Sequence, residues 1–361
     1  MKEKVRIGII GTGFARKVQI PAFLQCEGAK IVSVASGHLE NAESAAREFG
    51  IAHFTDDWRE TIEKKEVDLI CITTPPDTHK EMTFLALEHG KHVLCEKPMA
   101  MSADEAREMT ERAKEKRVLA LIDHELRFLR GREKAFEMIR GGEIGKIRHA
   151  KGNFRAPHRG DPDARWNWWS DEKAGGGALG AINSHTIDSV FWFLDAEISD
   201  VFCQLQTHIK NRRDEKTGEM REVTSDDEAN LIVRFSDGDF TKNATGTISA
   251  SMTELPVYQN RLEFFGTKGS IKIEHRGEVF LGKTGDTAWQ PITVDLGKAI
   301  KGVPDTGFSR GFVNFAPKIV EAIRAGKTEI KHAATFEDGL KVQEVLDAAR
   351  KSNRTGAVVK L

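Results

Sequence analysis

The stretch Val5-Arg-Ile-Gly-Ile-Ile-Gly11-Thr-Gly13-Phe-Ala15-Arg16 decides the fold. An apolar, β-branched run passes straight into a glycine pair, and helix-compatible spacing follows. Such a run suits a strand buried on both faces. Gly11 permits the tight turn that ends it, and Gly13 lets the backbone approach a pyrophosphate resting on the first amides of the next helix. Thr12, Phe14 and Ala15 belong to the same turn. Arg16 stands where the strict pattern has its third glycine.

Working outward, the runs Lys30–Ala35, Val67–Ile72, His92–Cys95 and Val118–Ile122 alternate with helical stretches at Asn41–Phe49, Asp57–Lys64, Thr78–His89 and Ser102–Lys116. The Ser102-Ala-Asp-Glu105 tetrad reads as a capping box. Residues 1–123 are therefore expected to form a doubly wound parallel sheet, a Rossmann domain that binds NAD(P). From 124 to 361 the texture changes. Strand candidates Lys146–Arg155, Asp200–Ile209, Asp227–Phe235, Asn243–Thr253, Arg261–Phe265 and Ser270–His275 are interrupted only by a helix near Ala178–Leu194. Helices Phe308–Ala325 and Phe336–Lys351 close the chain. The expectation is an α+β domain built on a large, mainly antiparallel open sheet, with Asn211–Glu222 as a solvated hairpin turn.

The 361 residues carry 54 Lys and Arg against 55 Asp and Glu, a net charge of −1. That balance has no cationic excess to hold a polyphosphate chain, so nucleic acid is excluded as a main partner. No apolar stretch approaches the roughly 20 residues that span a bilayer, and no secretory leader is read, so a cytoplasmic protein without membrane contact is expected. The four cysteines are read as free and mostly buried, and no metal site is read.

The second strand ends Val34-Ala-Ser36-Gly37-His38, without the carboxylate that usually takes the ribose hydroxyls of NAD. Ser36 could donate to a 2′-phosphate, with Arg16 or His38 neutralising it, so NADP is favoured slightly over NAD. The turns Thr73-Thr74-Pro75-Pro76-Asp77-Thr78-His79 and Cys95-Glu96-Lys97-Pro98 both follow parallel strands, at the rim where open α/β sheets bind ligands. A lysine there is placed for proton transfer; by itself it reads equally as a surface cation.

Gly11-x-Gly13, Thr74-Pro75-x-x-x-His79, Glu96-Lys97-Pro98, and Gly175-Gly-Gly-Ala-Leu179 followed by Ser184-His185 occur in that order. Over nearly its whole length the chain resembles the glucose-fructose oxidoreductase, inositol dehydrogenase and rhizopine-catabolism (Gfo/Idh/MocA) family. The resemblance implies hydride transfer between a nicotinamide and a secondary hydroxyl or ketone of a sugar, sugar derivative or cyclitol. It implies catalytic roles for Lys97 and His185, a cis Pro98, and cofactor contacts at Thr74, Pro75, His79, Glu96 and Lys97 beside the Ser36 contact read above. One departure is Ala181, where many members carry an aspartate four residues before the histidine; Asn183 also replaces a frequent glycine, and Asp188 could orient the imidazole instead.

His124 and Arg127 lie where relatives often place cleft residues, and both are candidates for substrate contact or for packing. Trp166, Trp168 and Trp169 within 157–173 suit either a lid stacking on a sugar ring, with Trp168 touching substrate, or anchors for a long loop. Lys97, Asn183 and His185 complete the substrate-binding set. Two rival readings are an NAD-dependent glycosidase that recycles a tightly bound cofactor and a non-catalytic dinucleotide-binding regulator. The open sheet needs a cover, so a homodimer or homotetramer is expected.

Overall fold

Strands β1 (Val5–Ile10), β2 (Ala29–Ala35), β3 (His53–Thr55), β4 (Leu69–Ile72), β5 (His92–Cys95) and β6 (Ala120–Ile122) form one all-parallel sheet in the order β3-β2-β1-β4-β5-β6. The computed structural model describes residues 4–214, 217–297 and 299–361. A wide helical turn over Ala15–Gln19 runs into α1 (Ile20–Leu24), and α2 (Leu39–Phe49), α3 (Trp58–Glu63), α4 (His79–Glu88) and α5 (Ala103–Lys114) make the crossovers. Strand order reverses at β1, which puts a crevice outside the carboxyl ends of β1 and β4. The apolar runs read from sequence all became strands. β3 was not foreseen, because a three-residue strand is too short to show a pattern. At α5, Ser102 accepts from the Glu105 amide, while the Glu105 carboxylate reaches the Met101 amide, one residue before the cap.

The chain divides into two compact units, the first comprising Met1–Leu129 and Gly297–Leu340, the second Arg130–Leu296 and Lys341–Leu361. In the second unit, α6 (Arg130–Arg140), which the sequence reading left without an element, precedes β7 (Ile147–Arg155). After α7 (Ser184–Leu194) come β8 (Ile198–Gln206), β9 (Asn211–Arg213), β10 (Met220–Glu222), β11 (Glu228–Phe235), β12 (Thr241–Ser251), β13 (Gln259–Gly266), β14 (Gly269–Ile273), β15 (Val279–Lys283) and β16 (Gln290–Ile292). With β17 (Val359–Lys360) they give a nine-stranded sheet, β16-β15-β14-β13-β7-β12-β11-β8-β17, and a separate β9–β10 hairpin where the charged turn was expected. Only the β7–β12 pair is parallel. Alternation sends Ala229, Leu231, Val233 and Phe235 of β11 inward. On the opposite face Ile232 is 61% exposed and lies across from Phe202.

The sequence reading gave all of 124–361 to the second domain. Instead α8 (Gly307–Arg324) packs in the first unit, where the Phe315 ring stacks on Phe128 at 4.3 Å and Phe312 meets Phe23 edge-on at 5.4 Å. Its stripe of Phe312, Phe315, Ile319 and Ile323 announces an apolar partner without saying which one, so chain order misled. α9 (Phe336–Thr355) begins in the first unit and ends in the second. All four cysteines are free, and Cys71, Cys95 and Cys203 are buried. No helix among the described residues is long and apolar enough to cross a membrane.

Candidate functional site

In the first unit every sequence-selected turn sits at a strand's carboxyl end, and each extends the sheet by one hydrogen bond. Gly11 N donates to Ala35 O, Thr73 N to Ile10 O, Glu96 N to Ile72 O and Asp123 N to Cys95 O, at 2.7 to 2.9 Å. This ladder brings the Gly11, Ser36, Thr74, Glu96 and His124 turns onto one rim. Gly11 adopts φ +96°, and a Cβ there would run into the Thr73 carbonyl. Gly13 is exposed, with nothing within 4 Å of where its Cβ would be, so the first amides of the helix stay open to a pyrophosphate. Ala15 is fully buried, which explains why a small residue precedes Arg16. These residues fit a nicotinamide dinucleotide. Ser36 is buried at the end of β2 with its amide on Thr55 O, His38 is exposed, and Arg16 pairs with Glu48 at 2.5 Å.

Thr74 is half-buried and its hydroxyl is bonded to that of Thr78 at 2.6 Å. His79 has no exposed surface; Nδ1 lies 3.1 Å from Pro98 O and Nε2 3.0 Å from Thr74 O. Burial pulls its pKa down to about 4, so the neutral ring, with its one N–H, donates to one of these carbonyls and packs between the Thr74–Pro75 and Lys97–Pro98 turns. Its expected contact with cofactor is corrected to one of position. Lys97 is half-buried and its bond to Pro98 is cis.

Beside Lys97 lies a set of buried polar groups that sequence reading missed. Gln19 and Asp123 are fully buried, and Gln19 Nε2 donates to Glu96 Oε1 at 3.2 Å and Asp123 Oδ2 at 2.8 Å. Burial pushes both carboxyls up, Asp123 well above the usual range, with Glu125 and Glu96 adding repulsion. The only signal for them was a polar residue at each end of an apolar run. Arg127 is 5% exposed, with Nη2 at 3.3 Å from Asp338 and Nη1 facing His332 O. Its guanidinium is therefore engaged inside the unit, and packing displaces the substrate role considered for it. His124 is buried too, and burial with the charges of Arg127 and Lys97 holds it well below the ordinary histidine range.

In the second unit the glycine run leads into a wide turn over Leu179–Asn183 and then α7, which carries His185, 4% exposed. Asp226 holds the start of this segment: its Oδ2 accepts from Leu179 N at 2.7 Å and its carbonyl from Ala178 N. Asn183 donates to Ala229 O and is fully buried, so its expected substrate contact becomes an anchoring bond to β11. Ala181 is buried, so no carboxylate occupies the i−4 position; Asp188 lies on α7 one turn beyond His185. Trp166 donates to Glu222 O with Arg221 over its ring, tying the long loop to the β9–β10 hairpin. Trp168 is half-buried against Trp169 at 5.5 Å.

Residues 5–124 match the family described as "Oxidoreductase family, NAD-binding Rossmann fold", and residues 133–272 the "GFO/IDH/MocA C-terminal domain". The chain is 30% identical to scyllo-inositol 2-dehydrogenase (NAD(+)) of Bacillus subtilis, with 100% of this chain and 97% of the relative covered. It is 29% identical to levoglucosan dehydrogenase of Pseudarthrobacter phenanthrenivorans, over 96% of this chain and 95% of that one. Among solved structures, a levoglucosan dehydrogenase in complex with NADH and L-sorbose superposes with a TM-score of 0.88 at 26% identity, covering 99% of each chain.

Proposed function

The chain belongs to the Gfo/Idh/MocA oxidoreductase family, and on that premise we propose that it is a nicotinamide-dependent dehydrogenase acting on a secondary hydroxyl or ketone of a sugar, sugar derivative or cyclitol. The observation that carries this reading is the rim of the first unit, where one parallel sheet presents both an open phosphate cradle at Gly11–Gly13 and Lys97. A bound nicotinamide supplies the hydride acceptor or donor. Gly11, Thr12, Gly13, Phe14 and Ala15 hold the pyrophosphate, and the Thr74–Pro75 and Glu96–Lys97 turns flank the remainder. As the carbinol carbon gives up its hydride and becomes a ketone, Lys97 takes the hydroxyl proton, and it returns that proton in reduction. His185 binds the reacting hydroxyl, and Trp168 offers an apolar ring face to the sugar. The named relatives' activities lie with this reading rather than with the recycled-cofactor glycosidase.

With no carboxylate at the end of β2, Ser36 admits a 2′-phosphate, so NADP binds somewhat more tightly than NAD; Arg16 assists by leaving Glu48. The enzyme works in the cytoplasm as a homodimer or homotetramer. Lys97→Ala tests the proton role: turnover falls by about 10²–10⁴ while fluorescence titrations with NADH and NADPH give nearly the parent affinities. Unchanged turnover would remove Lys97 from the mechanism.

A further inference from the structure

The acid pair next to Lys97 has no proton role in the reading above, yet it is among the most thoroughly buried charged chemistry in the first unit. Gln19 directs one amide group at both carboxyls, and neither Gln19 nor Asp123 has exposed surface. The second oxygen of Asp123 is buried without a hydrogen-bond partner. Because one amide nitrogen reaches Glu96 Oε1 at 3.2 Å and Asp123 Oδ2 at 2.8 Å, the two carboxyls lie side by side. Two ionised carboxylates held this close in a site without solvent repel each other strongly. We propose that Glu96 and Asp123 hold one proton between them, carried on Asp123, so that the pair presents a single negative charge to Lys97.

The surroundings agree. Glu125 brings a third buried carboxyl along the same turn and repels charge on Asp123. Lys97 is the cation that favours the ionised form of Glu96, whose Oε2 lies 3.4 Å from the Lys97 amide. Arg127 is turned toward Asp338. His124 is held neutral, and the thiols of Cys71 and Cys95 behind the pair are driven up by burial. Like charges this close in a dry site leave one group protonated, and here the group farther from Lys97's turn keeps the proton. Asp123 is thus a positioning residue: it fixes the Glu96 carboxylate and limits the negative charge that Lys97 meets.

Infrared spectroscopy of the full-length protein at about pH 8, where Asp226 is ionised, reads the shared proton directly. The proposal expects a protonated-carboxyl C=O band in the parent protein that Asp123→Asn removes. Absence of the band in the parent overturns it, and that measurement needs no variant to fold. Because the charge argument rests on Lys97 as proton acceptor, a second readout is the acid limb of the pH profile for oxidation. Asp123→Asn, which replaces a neutral group by a neutral group, leaves the limb in place whatever its effect on kcat, whereas Glu96→Gln moves it to lower pH by on the order of one unit. A shift in Asp123→Asn as large as in Glu96→Gln overturns the proposal. A limb that neither variant moves, with the band present, upholds the shared proton and removes Lys97 as the titrating group.

Discussion

Gly11 shows how one residue type can be compulsory. Its φ of +96° lies where only glycine rests without strain, and a Cβ would collide with the carbonyl of Thr73, the residue whose amide bonds to Ile10 O at the end of β1. Gly11→Ala is expected to cost about 1–3 kcal/mol and to weaken dinucleotide binding at least about tenfold, seen in thermal melts and cofactor titrations. An unchanged melt and affinity would mean that the turn relaxes without consequence. Gly11, Gly13 and Lys97 were legible because each occupies a fixed place after a readable strand. Gln19 and Asp123 were not. Their partners lie 77 and 104 residues from Gln19 in the chain, and a buried polar side chain inside an apolar run announces nothing until its partner is found. His79 was legible as part of a motif, but its job of bracing two turns depends on carbonyls that sequence does not place.

At the level of elements, the segment from Leu179 through α7 owes its start to Asp226. The buried carboxyl of Asp226 has its pKa raised to about 6 by burial, partly countered by the Leu179 amide and Arg350, with Asp227 adding to the rise. The unfolded chain releases this proton near pH 4, so between about pH 4 and pH 6 the folded form holds more protons, and stability falls as pH rises through that window. The full effect is of the order of 3 kcal/mol, present below pH 4 and absent above pH 6. Asp226→Asn keeps an oxygen for the Leu179 amide and should flatten this pH dependence in chemical denaturation; an unaltered slope would assign it to other groups. Most elements were legible from periodicity. α6 was not, since its charged sequence Arg130–Arg140 buries only a narrow stripe including Ala135 and Ile139. The start of α7 as a wide turn rather than a regular helix also left no mark in the spacing.

Across the whole molecule, chain order proved a poor guide to which core an element joins, as α8 shows by leaving its sequence neighbours for the Phe23–Phe128 cluster. A sheet face that exposes Ile232 beside Phe202 is covered in the proposed homo-oligomer, and light scattering at working concentration should give a dimer or tetramer. A monomer would leave that face open to water and end the oligomer proposal. The substrate within the sugar and cyclitol class depends on loops such as 157–173, whose conformation no motif encodes. The central claim is net hydride transfer from a carbinol carbon. A sugar or cyclitol substrate deuterated at that carbon, turned over with oxidised NAD or NADP, should leave its deuterium on the nicotinamide ring of the reduced cofactor that accumulates with the ketone. Deuterium retained in the organic product or lost to water, without accumulation of reduced cofactor, would contradict the account.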